Sequence, residues 1–188
     1  AGYAAVYAHR ENLAQAAQSQ QDKAKREVIR SSLRFAETFP QHDKAALVTG
    51  AALEDLYAMK DYALAVTTGR KMIAGFPNAE QPLRRSAWLV VAHSSYELNQ
   101  FRDAEDGYLN VLQLTAQNDA SREGLVENLA ASIYKQGEQA SARADYRAAT
   151  EHFLRVGRMA PTSRIRATAE YDAAAALLVD VVRPRHSG

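Results

Sequence analysis

The stretch WLVVAHSSYELNQFRDAEDGYLNVLQLT, Trp88 to Thr115, decides how the rest of the chain is read. Apolar residues recur at helical spacing through Trp88, Val91, Ala92 and Tyr96 and give way at the polar corner Asn99-Gln100. They resume through Phe101, Ala104, Tyr108, Val111 and Leu112. This pattern predicts two antiparallel helices joined by a tight corner. A lone hairpin leaves its apolar faces wet, so the flanking sequence must supply further hairpins to cover them.

The chain of 188 residues is long enough for one domain with a sizeable core, or for about four to five stacked hairpins. Apolar residues make up 47% of it, alanine is abundant, and there are only nine glycines and five prolines, so the expected class is all-α. The 23 basic and 22 acidic residues are interspersed, leaving a net charge of +1 and no overall field that demands a nucleic acid or an anionic membrane. The absence of cysteine excludes a disulfide framework, a thiolate metal site and a cysteine nucleophile. No run approaches the ~18 apolar residues of a transmembrane helix and no signal-peptide segment opens the chain, so a soluble protein is expected. The start at Ala1-Gly2-Tyr3, without methionine, fits a processed protein or an excised piece of a longer one.

Working outward, hairpins are expected at about 3–40, 43–77, 80–116 and 119–161, with a terminal helix at 163–182. In the first, Tyr3, Val6, Tyr7, Leu13, Ala14 and Ala17 share one side and His9, Arg10 and Glu11 the wet one. After a corner at 19–22, Ala24, Val28, Ser32, Phe35, Ala36 and Phe39 lead to Pro40. In the second, Leu47, Ala51, Ala52, Leu53 and Leu56 precede a helix that Asp61 should cap by accepting a backbone N–H. That helix ends at Phe76-Pro77, as the earlier one ends at Phe39-Pro40. Pro82 fits the first turn of the next helix. The fourth hairpin runs through Leu125, Leu129, Ile133 and Tyr134, then from Asp145 through Tyr146, Ala149, Phe153 and Val156 to Pro161. In the terminal helix Ser163 is the expected cap and Ile165, Ala169, Tyr171, Ala174, Ala175, Leu178 and Val182 the apolar face. Pro184 and the tail Arg185-His186-Ser187-Gly188 should end the ordered chain.

A repeat emerges from these hairpins. Ala65, Ala104 and Ala149 each follow an aromatic, Tyr62, Phe101 or Tyr146, by three residues, and small side chains there allow helices to approach closely. Pro77 and Pro161 stand at one offset from Ala65 and Ala149, with Ala116 in the same slot after Ala104. Trp88, Val91 and Ala92 precede Ala104 at the spacing of the W-x2-L-G pattern. On these residues the chain resembles a tetratricopeptide repeat protein, most clearly from Leu47 to Pro161. Tyr134-Lys135-Gln136-Gly137 resembles the close of the first helix in that family's consensus.

The resemblance implies a single TPR-like domain over 1–188, an α-solenoid of antiparallel hairpins in a right-handed superhelix. It also implies a non-catalytic role, with first helices lining a concave surface. The chain departs from the pattern in places. Leu53, Ala92 and Ala130 fill the glycine slot, and equivalent points lie 37 to 39 residues apart rather than about 34, roughly one extra helical turn per unit. The insertion Glu138–Ala144, EQASARA, adds nearly two turns and should extend a helix beyond its hairpin corner. The segment from Phe153 through Ser163, with the alanine-rich helix after it, is similar to repeats of bacterial envelope adaptors, including outer-membrane assembly lipoproteins and Tol-associated periplasmic proteins. That likeness points to the periplasm or envelope; without it the cytoplasm is the default.

Under the repeat alignment Tyr57, Tyr96 and Tyr134 occupy one equivalent place near the end of successive first helices. A row of tyrosines offers broad apolar contact with a polar tip at low entropic cost, which suits a peptide groove. The rings also suit simple packing between helices, with hydroxyls at the solvent edge. Glu54 and His93 lie one turn before Tyr57 and Tyr96 and would colour the same groove. The carboxylate-gripping version of the family uses Lys, Asn and Arg where this chain has Gly50, Glu54, Leu89, His93, Glu127 and Ala131, which disfavours a chaperone-tail ligand.

Arg155, Arg158, Arg164 and Arg166 form a basic patch that could meet RNA or an anionic surface, although Glu151, Glu170 and Asp172 are interleaved with it. Two enzyme readings are weaker still. Ser132-Ile133-Tyr134-Lys135 matches S-x-x-K without its companion motifs. Asp103, Glu105 and Asp106 could be read as the acid and base of a helical-barrel hydrolase but begin a second helix, where acids complement the dipole. His93 with Glu97 lacks the further ligands of a metal site. The expectation is a protein or peptide partner, no small-molecule substrate, no metal and no cofactor.

Overall fold

In a computed structural model, which describes residues 2–182, the chain forms nine α-helices and one short 3-10 turn, with no strand among the described residues. The helices are α1 (Gly2–Gln15), α2 (Gln21–Thr38), α3 (Ala45–Ala58), α4 (Tyr62–Gly75), α5 (Gln81–Glu97), α6 (Phe101–Gln113), α7 (Arg122–Ala142), α8 (Tyr146–Met159) and α9 (Arg166–Val182). They fall into two compact units, one ending at Leu98 and the other beginning at Asn99. The stretch Trp88–Thr115 therefore contributes to α5 of the first unit and α6 of the second.

In the first unit each helix packs on the next from α1 to α5, and α3 also lies against α5. Two apolar clusters hold it together. Val6, Phe35, Ala36, Ala45 and Val48 join α1, α2 and α3. Ile29, Leu53, Leu56, Ala65, Met72 and Val90 join α2 to α5. Truncating a fully buried side chain such as Leu53 to Ala should cost about 2–5 kcal/mol, because the lost transfer energy is compounded by a cavity. In the second unit α6, α7, α8 and α9 pack in succession, and α7 also meets α9.

Three corners repeat one backbone solution. Lys60, Asn99 and Ala144 all take the left-handed conformation, with φ of 60°, 58° and 58°. The residue after each, Asp61, Gln100 or Asp145, has ψ of 63°, 64° or 74°. Next comes the aromatic Tyr62, Phe101 or Tyr146 at the first helical position, and three residues on an alanine with no exposed surface, Ala65, Ala104 or Ala149. The helix ends at Phe39, Phe76 and Ala160 also match one another, with φ near −130° and ψ near 60°, each just before a proline.

Several local expectations are corrected. On α1 the packed positions are Gly2, Val6, His9, Leu13 and, just past its end, Ala16, one step round the helix from the expected face, and Tyr3 and Tyr7 are exposed. Leu47 and Phe39 are exposed as well, while Ala45, Val48 and Ile29 take the inner positions. Asp61 makes no side-chain cap; its carboxylate lies 3.9 Å from Arg26. Asp145, by contrast, accepts from the Ala148 amide at 3.1 Å. Helix α9 begins at Arg166, not Ser163, and buries Ala169, Ala173 and Ala176, leaving Tyr171, Leu178 and Val182 in water.

The insertion lengthens α7 to 21 residues. Its added turns do not stand free: Ala140 is fully buried, and Gln139 donates to the Asn99 carbonyl at 3.0 Å. Pro184 and the residues after it lie outside the described residues.

Candidate functional site

In the first unit the contact of α3 with α5 brings together three of the five residues expected at a groove, Glu54, Tyr57 and His93. Tyr57 stacks on His93, centroids 5.9 Å apart at 30°, and tilts against Tyr62 at 5.7 Å. One turn earlier the Glu54 carboxylate accepts from the Ser86 hydroxyl at 2.7 Å. Tyr96, half-buried, follows His93 by three residues on α5. The helical period and the approach of α3 to α5 place these groups along one row. Glycine permits a close approach of α4 to α5: a Cβ on Gly69 of α4 would lie 2.4 Å from Val91 of α5.

The electrostatics of the row are those of a half-dry surface. Burial pushes the Tyr57 phenol above its ordinary value, with Tyr62 and Glu97 adding to the effect. Burial lowers the His93 imidazole, and Glu97 opposes it. An imidazole stacked on the Tyr57 phenol offers flat apolar faces edged with hydrogen-bonding tips, which suits holding a side chain or backbone segment.

Tyr134, the third tyrosine, belongs to the second unit and is committed within it. Its ring packs on Phe153 at 5.1 Å, and its hydroxyl donates to the Asp172 carboxylate at 2.5 Å. That hydrogen bond, ahead of burial, pushes the phenol up to about 12. Gly137 makes room for the Phe153 ring, since a Cβ there would lie 2.5 Å from it. As Tyr57 on α3 meets His93 on α5, so Tyr134 bridges α7 to α9.

Three of the four arginines expected to form a basic patch, Arg155, Arg158, Arg164 and Arg166, are already paired. Arg155 bonds the Glu105 carboxylate and reaches His152 Nδ1 at 3.1 Å. Arg164 pairs with Glu123 at 2.9 Å, and Arg166 with Glu170 at 2.8 Å. Arg158 is exposed.

Glu105 sits in a cluster that sequence patterning does not announce. Only 6% exposed, it also accepts from Gln136 at 2.6 Å, in a polar cleft of about 520 Å³ that Arg102, Asp106, Glu151 and His152 border. It is therefore more than a complement to the α6 dipole. Burial and the Arg155 charge lower the His152 imidazole. The one signal is faint: Glu105 shares the spacing of Phe101, Ala104 and Tyr108, so it falls on the buried side of α6.

Ser132 donates its hydroxyl to the Asn128 carbonyl at 2.8 Å, and Lys135 pairs with Glu138. Among the described residues no three His, Asp or Glu side chains are grouped to hold a metal ion, and no helix is long and apolar enough to cross a membrane. No protein-family model matches the chain, and no curated protein matches it.

Proposed function

We propose that the chain is a non-catalytic protein-interaction scaffold. In this reading it is a TPR-like right-handed solenoid whose first helices take a peptide, a helix or a partner subunit on their concave side. The observation that carries the reading is the recurrence of one corner: a left-handed residue at Lys60, Asn99 and Ala144, then an aromatic, then a buried alanine. A corner that recurs along the chain is what an array of one supersecondary unit requires. The row Glu54, Tyr57, His93 and Tyr96 on α3 and α5 supplies the binding surface, by shape and aromatic anchoring. The similarity of residues 153–163 to envelope adaptors favours a bacterial envelope assembly as its setting.

An anionic partner at the C-terminal arginines is the weaker reading, because Arg155, Arg164 and Arg166 already face carboxylates. The scaffold reading is tested by affinity capture with the intact chain and with Tyr57→Ala/Tyr96→Ala/Tyr134→Phe. Loss of a captured protein by a variant with native circular dichroism supports it. Equal recovery of every captured protein contradicts it.

A further inference from the structure

A second surface lies on α2 and α4, helices that carry none of the tyrosine row except Tyr62's contact with Tyr57. Between them runs an open groove of about 560 Å³. Its floor is aliphatic: Ile29 and Leu33 of α2, Leu56 of α3 and Leu64 of α4. Ile29 and Leu56 are buried, but Leu33 is only partly covered and Leu64 is 42% exposed, so apolar surface faces water along the groove. One wall is cationic. Arg26, Arg30 and Arg34 follow one another by four residues and form a single ridge on α2, and Glu37 is the one acid among the lining residues.

These arginines are loosely held. Arg30 meets Glu27 at 3.0 Å in an exposed pair, Arg26 lies 3.9 Å from Asp61, and Arg34 joins no ion pair among the described residues. Water and side-chain entropy offset most of the attraction in exposed pairs of this kind, so a partner's carboxylates can replace them at little cost.

We propose that this groove docks an amphipathic helix of a partner protein, with aliphatic residues at i, i+3, i+4 and i+7 on the floor and acidic residues along the arginine ridge. Charge complementarity selects the occupant: an aliphatic floor beside a basic wall matches a leucine-bearing, acid-flanked helix. A single-stranded nucleic acid would stack on aromatic rings, and none lines this groove. A membrane would meet a protruding apolar face, not a recess.

The test uses the intact chain and a labelled peptide of about 18 residues, roughly 27 Å when helical, with leucines at those positions and a glutamate flank. A twin peptide carries a lysine flank, and binding is read by fluorescence anisotropy. The glutamate peptide is expected to bind saturably. Arg30→Glu/Arg34→Glu should weaken it at least about tenfold and confer binding of the lysine peptide. Leu64→Asp should abolish binding with the thermal melt unchanged, and Tyr57→Ala/Tyr96→Ala should leave it intact. Failure of the glutamate peptide to saturate, equal binding of the two peptides, or binding that survives Leu64→Asp would overturn the proposal. So would displacement of the peptide by phosphatidylglycerol vesicles or single-stranded RNA, or its loss in the tyrosine variant alone.

Discussion

The Tyr134 hydroxyl on α7 donates to the Asp172 carboxylate on α9 at 2.5 Å, tying these two helices together. A charge-assisted bond of this kind contributes about 1.5–3 kcal/mol where it is sheltered and less where water competes. Tyr134→Phe should lower the urea midpoint. The phenol is held above its ordinary value, up to about 12, so the folded chain keeps this proton longer than the unfolded one. The contribution to stability is therefore complete below about pH 10 and lost as the pH rises toward 12. Near-ultraviolet alkaline titration should lose a late tyrosine step, toward pH 12, in the Phe variant, while the raised Tyr57 step stays.

Arg155 and Glu105 pair across α8 and α6 with the carboxylate almost out of water. Arg155→Met leaves that charge to the Gln136 amide and should cost about 2–4 kcal/mol. Glu105→Gln combined with Arg155→Met should cost less than the sum of the single changes, because no buried charge is then stranded. A double-mutant cycle by urea unfolding measures the difference.

Acid should weaken the fold through His93 and His152. Burial lowers both imidazoles, the Arg155 charge adding to it for His152. The unfolded chain then binds these protons more readily, so stability is complete above about pH 6.5 and declines as the pH falls through that value toward the folded ones. Asp55 works in the opposite sense, since burial raises its carboxyl and the folded chain takes its proton first. Unfolding at stepped pH should show a shallower decline between about pH 7 and 5 in His93→Gln/His152→Gln than in the parent chain.

Two backbone substitutions should have opposite signs. Ala144 holds φ of 58°, where a Cβ is strained, so Ala144→Gly should stabilise by about 1 kcal/mol. Gly137 faces the Phe153 ring, and Gly137→Ala should destabilise by about 1–3 kcal/mol through overpacking. Gly124, with nothing near its missing Cβ, supplies the control: Gly124→Ala should stabilise by up to about 1 kcal/mol. Thermal melts read all three.

Much of the helical layout is legible in the sequence because large residues mark both the period and its breaks. Phe101, Ala104, Tyr108 and Val111 fix the inner side of α6, and Asn99-Gln100 fix its corner. The register is misread where size gives no signal. Helix α9 carries alanine on both sides, so hydropathy draws Tyr171 and Leu178 inward, while the close packing of Ala169, Ala173 and Ala176 sets the true face. Long-range pairing is illegible for a different reason. The partners of Glu105 stand 31 and 50 residues away, and its charge hides a buried position. In the candidate row, spacing alone aligns Tyr57, Tyr96 and Tyr134, whereas the stacking of Tyr57 on His93 needs α3 and α5 side by side.

The proposed binding of a protein partner along the row on α3 and α5 is tested by site-specific photocross-linking. A photoreactive phenylalanine analogue is placed in turn at Tyr57, at Tyr96 and at Arg70, an exposed position on α4, and the chain is irradiated with its captured partner. Cross-links to one segment of that partner are expected from positions 57 and 96, and none from position 70. Cross-links from position 70 alone, or equally from all three, would show that the partner is held elsewhere.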